Sequence, residues 1–145
     1  VGWAGAPGAA SEFDAALEDA GRAAGYTLAV VPLDEEEIRD FYHGFSNEVV
    51  WPLFHDMPSF CNFDPAYWRA YQRVNRKYAQ AVEAHSERGA FVWVHDYQLM
   101  GVGAALRDMG TANRLAFFLH IPFPSPDIFL QLPWRQYDLK RHRRR

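Results

Sequence analysis

Side chains able to do chemistry gather in three short stretches of the sequence. The first is His95-Asp96-Tyr97, directly after the apolar run 90–94. A carboxylate there can accept hydrogen bonds from sugar hydroxyls, and Tyr or His can donate them. Asp96 can equally N-cap a helix beginning at Tyr97 or Gln98, because Asp is among the preferred residues at that position. The second stretch is Phe118-Leu119-His120-Ile121-Pro122-Phe123-Pro124, where a histidine closes another apolar run and two prolines stiffen its loop. His120 is either a ligand-facing group or a structural histidine bonded to a backbone carbonyl. The third stretch is the aromatic segment 41–55, in which Trp51 offers a flat apolar face to a sugar ring and Tyr42 a hydroxyl to a phosphate or sugar oxygen. An aromatic stripe of this kind serves as readily as core.

Other chemistries lack their residues. The six histidines do not fall into a ligand spacing with carboxylates, so no metal is expected. Cys61 is the single cysteine, which excludes an internal disulfide framework and a cysteine-based zinc site, and it reads as a packed or partly exposed thiol. There is no Gly-x-Ser-x-Gly elbow for acyl transfer and no glycine-rich dinucleotide loop.

The elements that would position these groups follow from hydrophobic period. The β-branched run 26–33 reads as a buried strand. Asp34 and Glu37 stand at capping-box spacing and start a helix that carries Ile38, Phe41, Tyr42 and Phe45 on one face. Asp64 and Pro65 start a second helix, 65–86, which ends near Gly89. After Gly89 come a strand at 90–94, a helix at 98–109, a strand at 114–119 and a short helix at 125–132. Their apolar runs are those of strands covered on both faces, and their order implies a parallel right-handed crossover. Ligands of such sheets sit beyond the carboxyl ends of the strands, which is where His95-Asp96-Tyr97 and His120 fall.

Composition narrows the functional classes. With 145 residues, 49% of them hydrophobic and 16% aromatic, the chain suits one globular domain and not a disordered segment. The net charge of −3 hides an asymmetry: five of the fifteen bases lie in Lys140-Arg141-His142-Arg143-Arg144-Arg145, so residues 1–139 carry −8. An acidic body argues against a nucleic-acid-binding protein. No apolar run approaches the roughly 18 to 20 residues of a membrane span, no signal peptide is evident, and the default location is the cytoplasm. Oligomeric state stays open, a homo-oligomer being compatible with everything above.

Order and wording of the motifs say more than any one of them. Gly2-Trp3-Ala4-Gly5, Tyr42-x-x-Phe45-Ser46-Asn47-x-x-x-Trp51-Pro52, Trp93-Val94-His95-Asp96-Tyr97-x-Leu99, Phe117-Phe118-Leu119-His120-Ile121-Pro122-Phe123-Pro124 and Leu132-Pro133-Trp134-Arg135 together resemble the trehalose-6-phosphate synthase family. The resemblance implies an α/β fold, a Rossmann-like parallel sheet with flanking helices, as the incomplete N-terminal half of a GT-B glycosyltransferase. It implies metal-independent, retaining transfer of glucose from a nucleotide sugar, usually UDP-glucose, to glucose 6-phosphate, with no cofactor and no protein nucleophile. By motif, Tyr42 matches a residue towards the acceptor phosphate, Asp96 one towards acceptor sugar hydroxyls, Trp51 the tryptophan lining the acceptor pocket and His120 the histidine contacting the donor glucose. Trp3 belongs to a motif near the same cleft. A glucosylglycerol-phosphate synthase, which takes glycerol 3-phosphate with ADP-glucose, shares these motifs, and a non-catalytic sugar-phosphate-binding module derived from the family is the rival of a different class.

Departures from the family pattern set further expectations. Residues 1–135 correspond to part of the acceptor-side domain, while 136–145 form a basic tail that reads as a truncation or frame disruption. The family's phosphate-facing arginine and the cations that neutralise the leaving diphosphate have no counterpart here. Electrostatic stabilisation of that group is a large part of such catalysis, so these 145 residues alone are expected to be inactive.

Overall fold

The computed structural model describes residues 10–134, with side chains from residue 15 onward. Trp3 and the tail 136–145 therefore lie outside the described residues. The chain runs α1 (Ala10–Ala24), α2 (Glu35–Glu37), a π-helical stretch (Ile38–Val50), α3 (Trp51–Phe54), a 3₁₀ turn (Pro58–Phe60) and α4 (Pro65–His85). It continues through β1 (Phe91–His95), a 3₁₀ turn (Tyr97–Leu99), α5 (Val102–Asp108), β2 (Arg114–Phe118) and α6 (Pro126–Phe129).

Both helix starts read from sequence are present. Asp34 Oδ1 accepts from Glu37 N at 2.8 Å, and Glu37 Oε2 accepts from Asp34 N at 3.1 Å, closing the capping box. The helix it opens then widens into the π stretch, where the Ser46 hydroxyl donates back to Phe41 O at 2.8 Å and Trp51 N to Ser46 O, each five residues apart. Phe41 and Phe45 are buried and Ile38 and Tyr42 half-buried, so the expected face points inward. Asp64 caps α4 through Ala66 N at 2.7 Å, with Pro65 in the first helical position.

The core lies between the π stretch, α4 and α5. Val49, Val50, Leu53, Val74 and Leu106 are completely buried there, each contributing roughly 1.5–3 kcal/mol of hydrophobic stabilisation. Aromatic rings extend it. Phe45 lies 4.3 Å from Tyr71 between centroids, and Trp68 stacks on Trp134 at 5.8 Å. Trp134, from the Leu132-Pro133-Trp134 motif, is thus part of the packing around α4. Cys61 closes the same region, its thiol donating to Val49 O at 3.5 Å, and burial pushes its pKa up. It should react with Ellman's reagent at pH 8 more slowly than free cysteine, because the thiolate is the reactive form; a rate equal to that of free cysteine would contradict this environment.

β1 and β2 pair in parallel, from Phe91 opposite Arg114 to His95 opposite Phe118, with α5 in the connection between them. The α/β class and the parallel sheet flanked by helices are as expected. Three local expectations need correction. The run 26–33 is an extended segment with a single bridge at Val30. A strand needs a ladder partner along its length, and among the described residues none is present; Val31 is buried and Lys77 Nζ donates to Pro32 O at 3.5 Å instead. The expected helix 98–109 splits into a 3₁₀ turn and α5, because Gln98 O is taken by Asn75 Nδ2 at 3.0 Å rather than by the next helical turn. The strands are not covered on both faces: Val94 joins the core, but Phe91 and Trp93 are 57% and 58% exposed.

Candidate functional site

The carboxyl ends of β1 and β2 converge on one short loop. Asp96 follows β1 with φ 71° and ψ 165°, a region that L-residues other than glycine rarely occupy. Its backbone N–H donates to Phe118 O at 2.8 Å, extending the ladder by one residue. Asp96 Oδ1 accepts from Tyr97 N at 2.9 Å and from His120 N at 3.4 Å. Of the two readings open for Asp96, the cap is therefore realised, yet it uses one oxygen only. Oδ2 has no hydrogen-bond partner among the described residues, and the side chain is half-buried.

His120 is exposed at the end of β2, and its ring lies beside that of His95. His95 Nδ1 and His120 Nε2 are 3.0 Å apart, one nitrogen donating and the other accepting according to tautomer. Phe118 packs edge-on against the His120 ring at 4.8 Å. A histidine bonded to a backbone carbonyl, the structural alternative, is thus not what the ring of His120 makes here. The loop beyond it is anchored by Phe123, whose ring meets Phe54 at 5.4 Å and Phe129 at 5.1 Å.

Tyr42 reaches the same end of the sheet from the π stretch. It lines a depression of about 270 Å³ with Phe41, Tyr78, His95, Gln98 and Leu99. Tyr97 sits beneath, its hydroxyl donating to Asn47 Oδ1 at 3.4 Å. Burial, followed by the nearby Asp96 carboxylate and Tyr42, pushes the Tyr97 hydroxyl pKa up, so it stays protonated. Tyr97 is thus a packed support and not the surface donor that its place in His95-Asp96-Tyr97 suggested. Trp51 heads α3, 42% exposed, and stacks on the His55 ring at 4.1 Å. It does not line the depression.

The structure therefore brings His95, Asp96 and His120 together beyond the strand ends, sets Tyr42 with His95 around the depression, and leaves Trp51 at the start of α3, just after the stretch that carries Tyr42. Tyr78, Gln98 and Leu99 are lining residues that sequence reasoning missed. Tyr78 lies mid-helix at core spacing and carries no signal of its own, whereas Gln98 and Leu99 lie immediately beyond the Asp96 motif. Chemically the depression pairs an apolar, aromatic wall with phenol, amide and imidazole groups, and the Asp96 carboxylate directly follows its lining residue His95 in the chain, a set suited to a polyhydroxylated ligand. No cluster of three or more His, Cys, Asp or Glu side chains among the described residues is arranged to hold a metal ion, and none of the described helices is long and apolar enough to cross a membrane.

Comparison with known proteins fits this geometry. The bifunctional trehalose-6-phosphate synthase/phosphatase of Thermoproteus tenax is 43% identical over 142 residues, which is 97% of this chain and 19% of that protein. The trehalose-6-phosphate synthase of Mycolicibacterium gilvum is 42% identical over 135 residues, 93% of this chain and 27% of that protein. Among solved structures, a UDP-forming α,α-trehalose-phosphate synthase of Burkholderia xenovorans in complex with glucose-6-phosphate aligns with a TM-score of 0.75 at 35% identity, over 80% of this chain and 26% of that one. The chain thus spans between about a fifth and about a quarter of the length of the relatives it matches. The likeness is to the amino-terminal part of GT-B enzymes. The model of glycosyltransferase family 20 matches residues 1–141, running past Arg135 into the basic tail. With nearly its whole length inside that match, the chain belongs to glycosyltransferase family 20.

Proposed function

We propose that the full-length protein containing this chain is a trehalose-6-phosphate synthase, transferring glucose from UDP-glucose to glucose 6-phosphate with retention and releasing UDP. The observation that carries the reading is the half-buried Asp96, with one carboxylate oxygen fixed as a cap and the other unpartnered among the described residues, close to the Tyr42 depression in a family 20 chain. In this reading residues 1–135 are part of the acceptor-side domain of a GT-B enzyme. Asp96 accepts hydrogen bonds from acceptor hydroxyls and Tyr42 donates to its phosphate or a sugar oxygen. His120 contacts the donor glucose, and Trp51 walls the acceptor side. Trp3 is assigned to the same cleft by motif alone. The acceptor's anomeric hydroxyl attacks C1 of the donor glucose on the face the diphosphate leaves, and the departing phosphate takes the proton.

Among the described residues no lysine or arginine lines the depression. Neutralising the leaving diphosphate is worth several kcal/mol in reactions of this kind, so the cations for that step are assigned to the remainder of the protein, and these 145 residues alone to an inactive piece. A cytoplasmic location belongs to the same proposal. The test is to give the full-length protein UDP-glucose or ADP-glucose with either glucose 6-phosphate or glycerol 3-phosphate and to identify products by NMR. An α,α-linked trehalose 6-phosphate formed only with the first acceptor is expected. A product only with glycerol 3-phosphate would shift the reading to a glucosylglycerol-phosphate synthase, and no product with either would leave a binding module.

A further inference from the structure

We propose that Tyr71 and Asn75, two buried side chains of α4, are positioning residues that hold the strained Asp96 loop in its acceptor-binding shape. The proposal rests on the acceptor reading of Asp96 given above and adds to it the device that maintains the loop. A residue at φ 71° and ψ 165° persists only where its surroundings over-determine it. Bonds from Asp96 itself supply part of that constraint, at Phe118 O, Tyr97 N and His120 N. The remainder comes from behind the loop. The Tyr71 hydroxyl donates to Tyr97 O at 2.8 Å, and Asn75 Nδ2 donates to Gln98 O at 3.0 Å and to Tyr71 O at 2.9 Å. Two successive carbonyls after Asp96 are therefore pinned to one turn of α4.

The placing of these donors is specific. Tyr71 and Asn75 are 3% and 2% exposed, so their bonds have little competition from water. The Tyr71 ring is held by Phe41, Phe45 and Trp68, at centroid distances of 5.9, 4.3 and 5.9 Å. Asn75 is held from the far side by Gly101: a Cβ built there would lie 3.1 Å from Asn75 Oδ1 and 3.2 Å from its Cβ and Cγ. Asn75 Oδ1 itself is buried without a hydrogen-bond partner among the described residues. A residue kept for its own stability would not leave an acceptor unsatisfied, whereas one kept to aim Nδ2 at two carbonyls does so as a consequence of its geometry.

The test uses the full-length protein with Tyr71→Phe, which removes one hydroxyl and keeps the ring, and Val74→Ala as a control. Val74 is completely buried on the same helix but makes none of these bonds. Tyr71→Phe should raise the KM for glucose 6-phosphate roughly tenfold, as the loss of one buried hydrogen bond allows, with the KM for UDP-glucose within about twofold of wild type. Val74→Ala should lower thermal stability and leave both KM values within about twofold. An unchanged acceptor KM in Tyr71→Phe, or an equal rise in Val74→Ala, would overturn the proposal. A crystal structure of the Tyr71→Phe, Asn75→Ala double variant reads the loop without any activity. Loss of the positive φ at Asp96 is expected, and an unmoved Asp96 would refute the clamp. Absence of transfer by wild type would remove the acceptor reading, while the crystal comparison would still decide the clamp.

Discussion

In the proposed enzyme, Asp96→Ala is expected to lower kcat/KM for glucose 6-phosphate by at least about a hundredfold, and Asp96→Gly to lower it by somewhat less while folding normally. Two effects combine in the alanine variant. A charged acceptor oxygen bonded to a sugar hydroxyl contributes about 1.5–3 kcal/mol, and the same truncation removes the Oδ1 contacts that tie Tyr97 N and His120 N together. Alanine is also poorly suited to φ 71°, so it loses the loop shape as well as the carboxylate. Glycine tolerates that conformation at no steric cost, which separates the two contributions: its variant should melt near the wild-type temperature and still fail to use the acceptor. Asp96→Asn keeps an oxygen for the cap and loses the charge, and should fall between, at about tenfold. Steady-state rates with the acceptor varied, alongside thermal melts, decide the order. An Asp96→Gly enzyme with wild-type kcat/KM would reduce Asp96 to a turn former.

A large effect on stability is expected at Glu37. Its side chain is 2% exposed and meets Lys77 Nζ at 2.6 Å and Arg73 Nε at 3.4 Å while closing the capping box with Asp34 N. One carboxylate thus starts the helix that carries Tyr42 and clamps it to α4. Glu37→Ala should destabilise the chain by about 2–3 kcal/mol, below the roughly 3–5 kcal/mol of a fully buried pair, because Lys77 and Arg73 are 37% and 46% exposed and regain solvent. Glu37→Gln retains an oxygen for the cap and loses only the charge, so it should cost about half as much. Urea unfolding measures both, and equal losses would place the whole effect in the ion pairs with Lys77 and Arg73.

What the sequence discloses about this fold follows how local the determining interactions are. The starts at Asp34 and Asp64 are legible because a cap is satisfied within three residues. The strands at 91–95 and 114–118 are legible from continuous apolar runs bounded by Gly89 and Gly110. The run 26–33 misleads for the opposite reason, since β-branched composition records the preference for an extended chain but not the presence of a neighbour to pair with. Likewise nothing in Phe91-Val92-Trp93 distinguishes a strand covered on both faces from one with Trp93 in solvent. At the site, Tyr42, Asp96 and His120 stand out by residue type and by position after strands or within an aromatic segment. Tyr71, Asn75 and Tyr78 do not, because they lie far back in the chain on α4 and act through tertiary contacts alone. The positive φ of Asp96 is equally hidden, since no glycine marks it.

In the proposed enzyme, the Asp96 oxygen that the cap does not use and the Tyr42 hydroxyl together receive the acceptor sugar phosphate. A crystal structure of the full-length protein with glucose 6-phosphate bound reads this directly. A sugar hydroxyl within hydrogen-bond distance of Asp96 Oδ2, the Tyr42 hydroxyl against the sugar phosphate, and an unchanged Asp96 backbone are expected. Glucose 6-phosphate bound elsewhere, with Asp96 Oδ2 facing only water, would contradict the assignment.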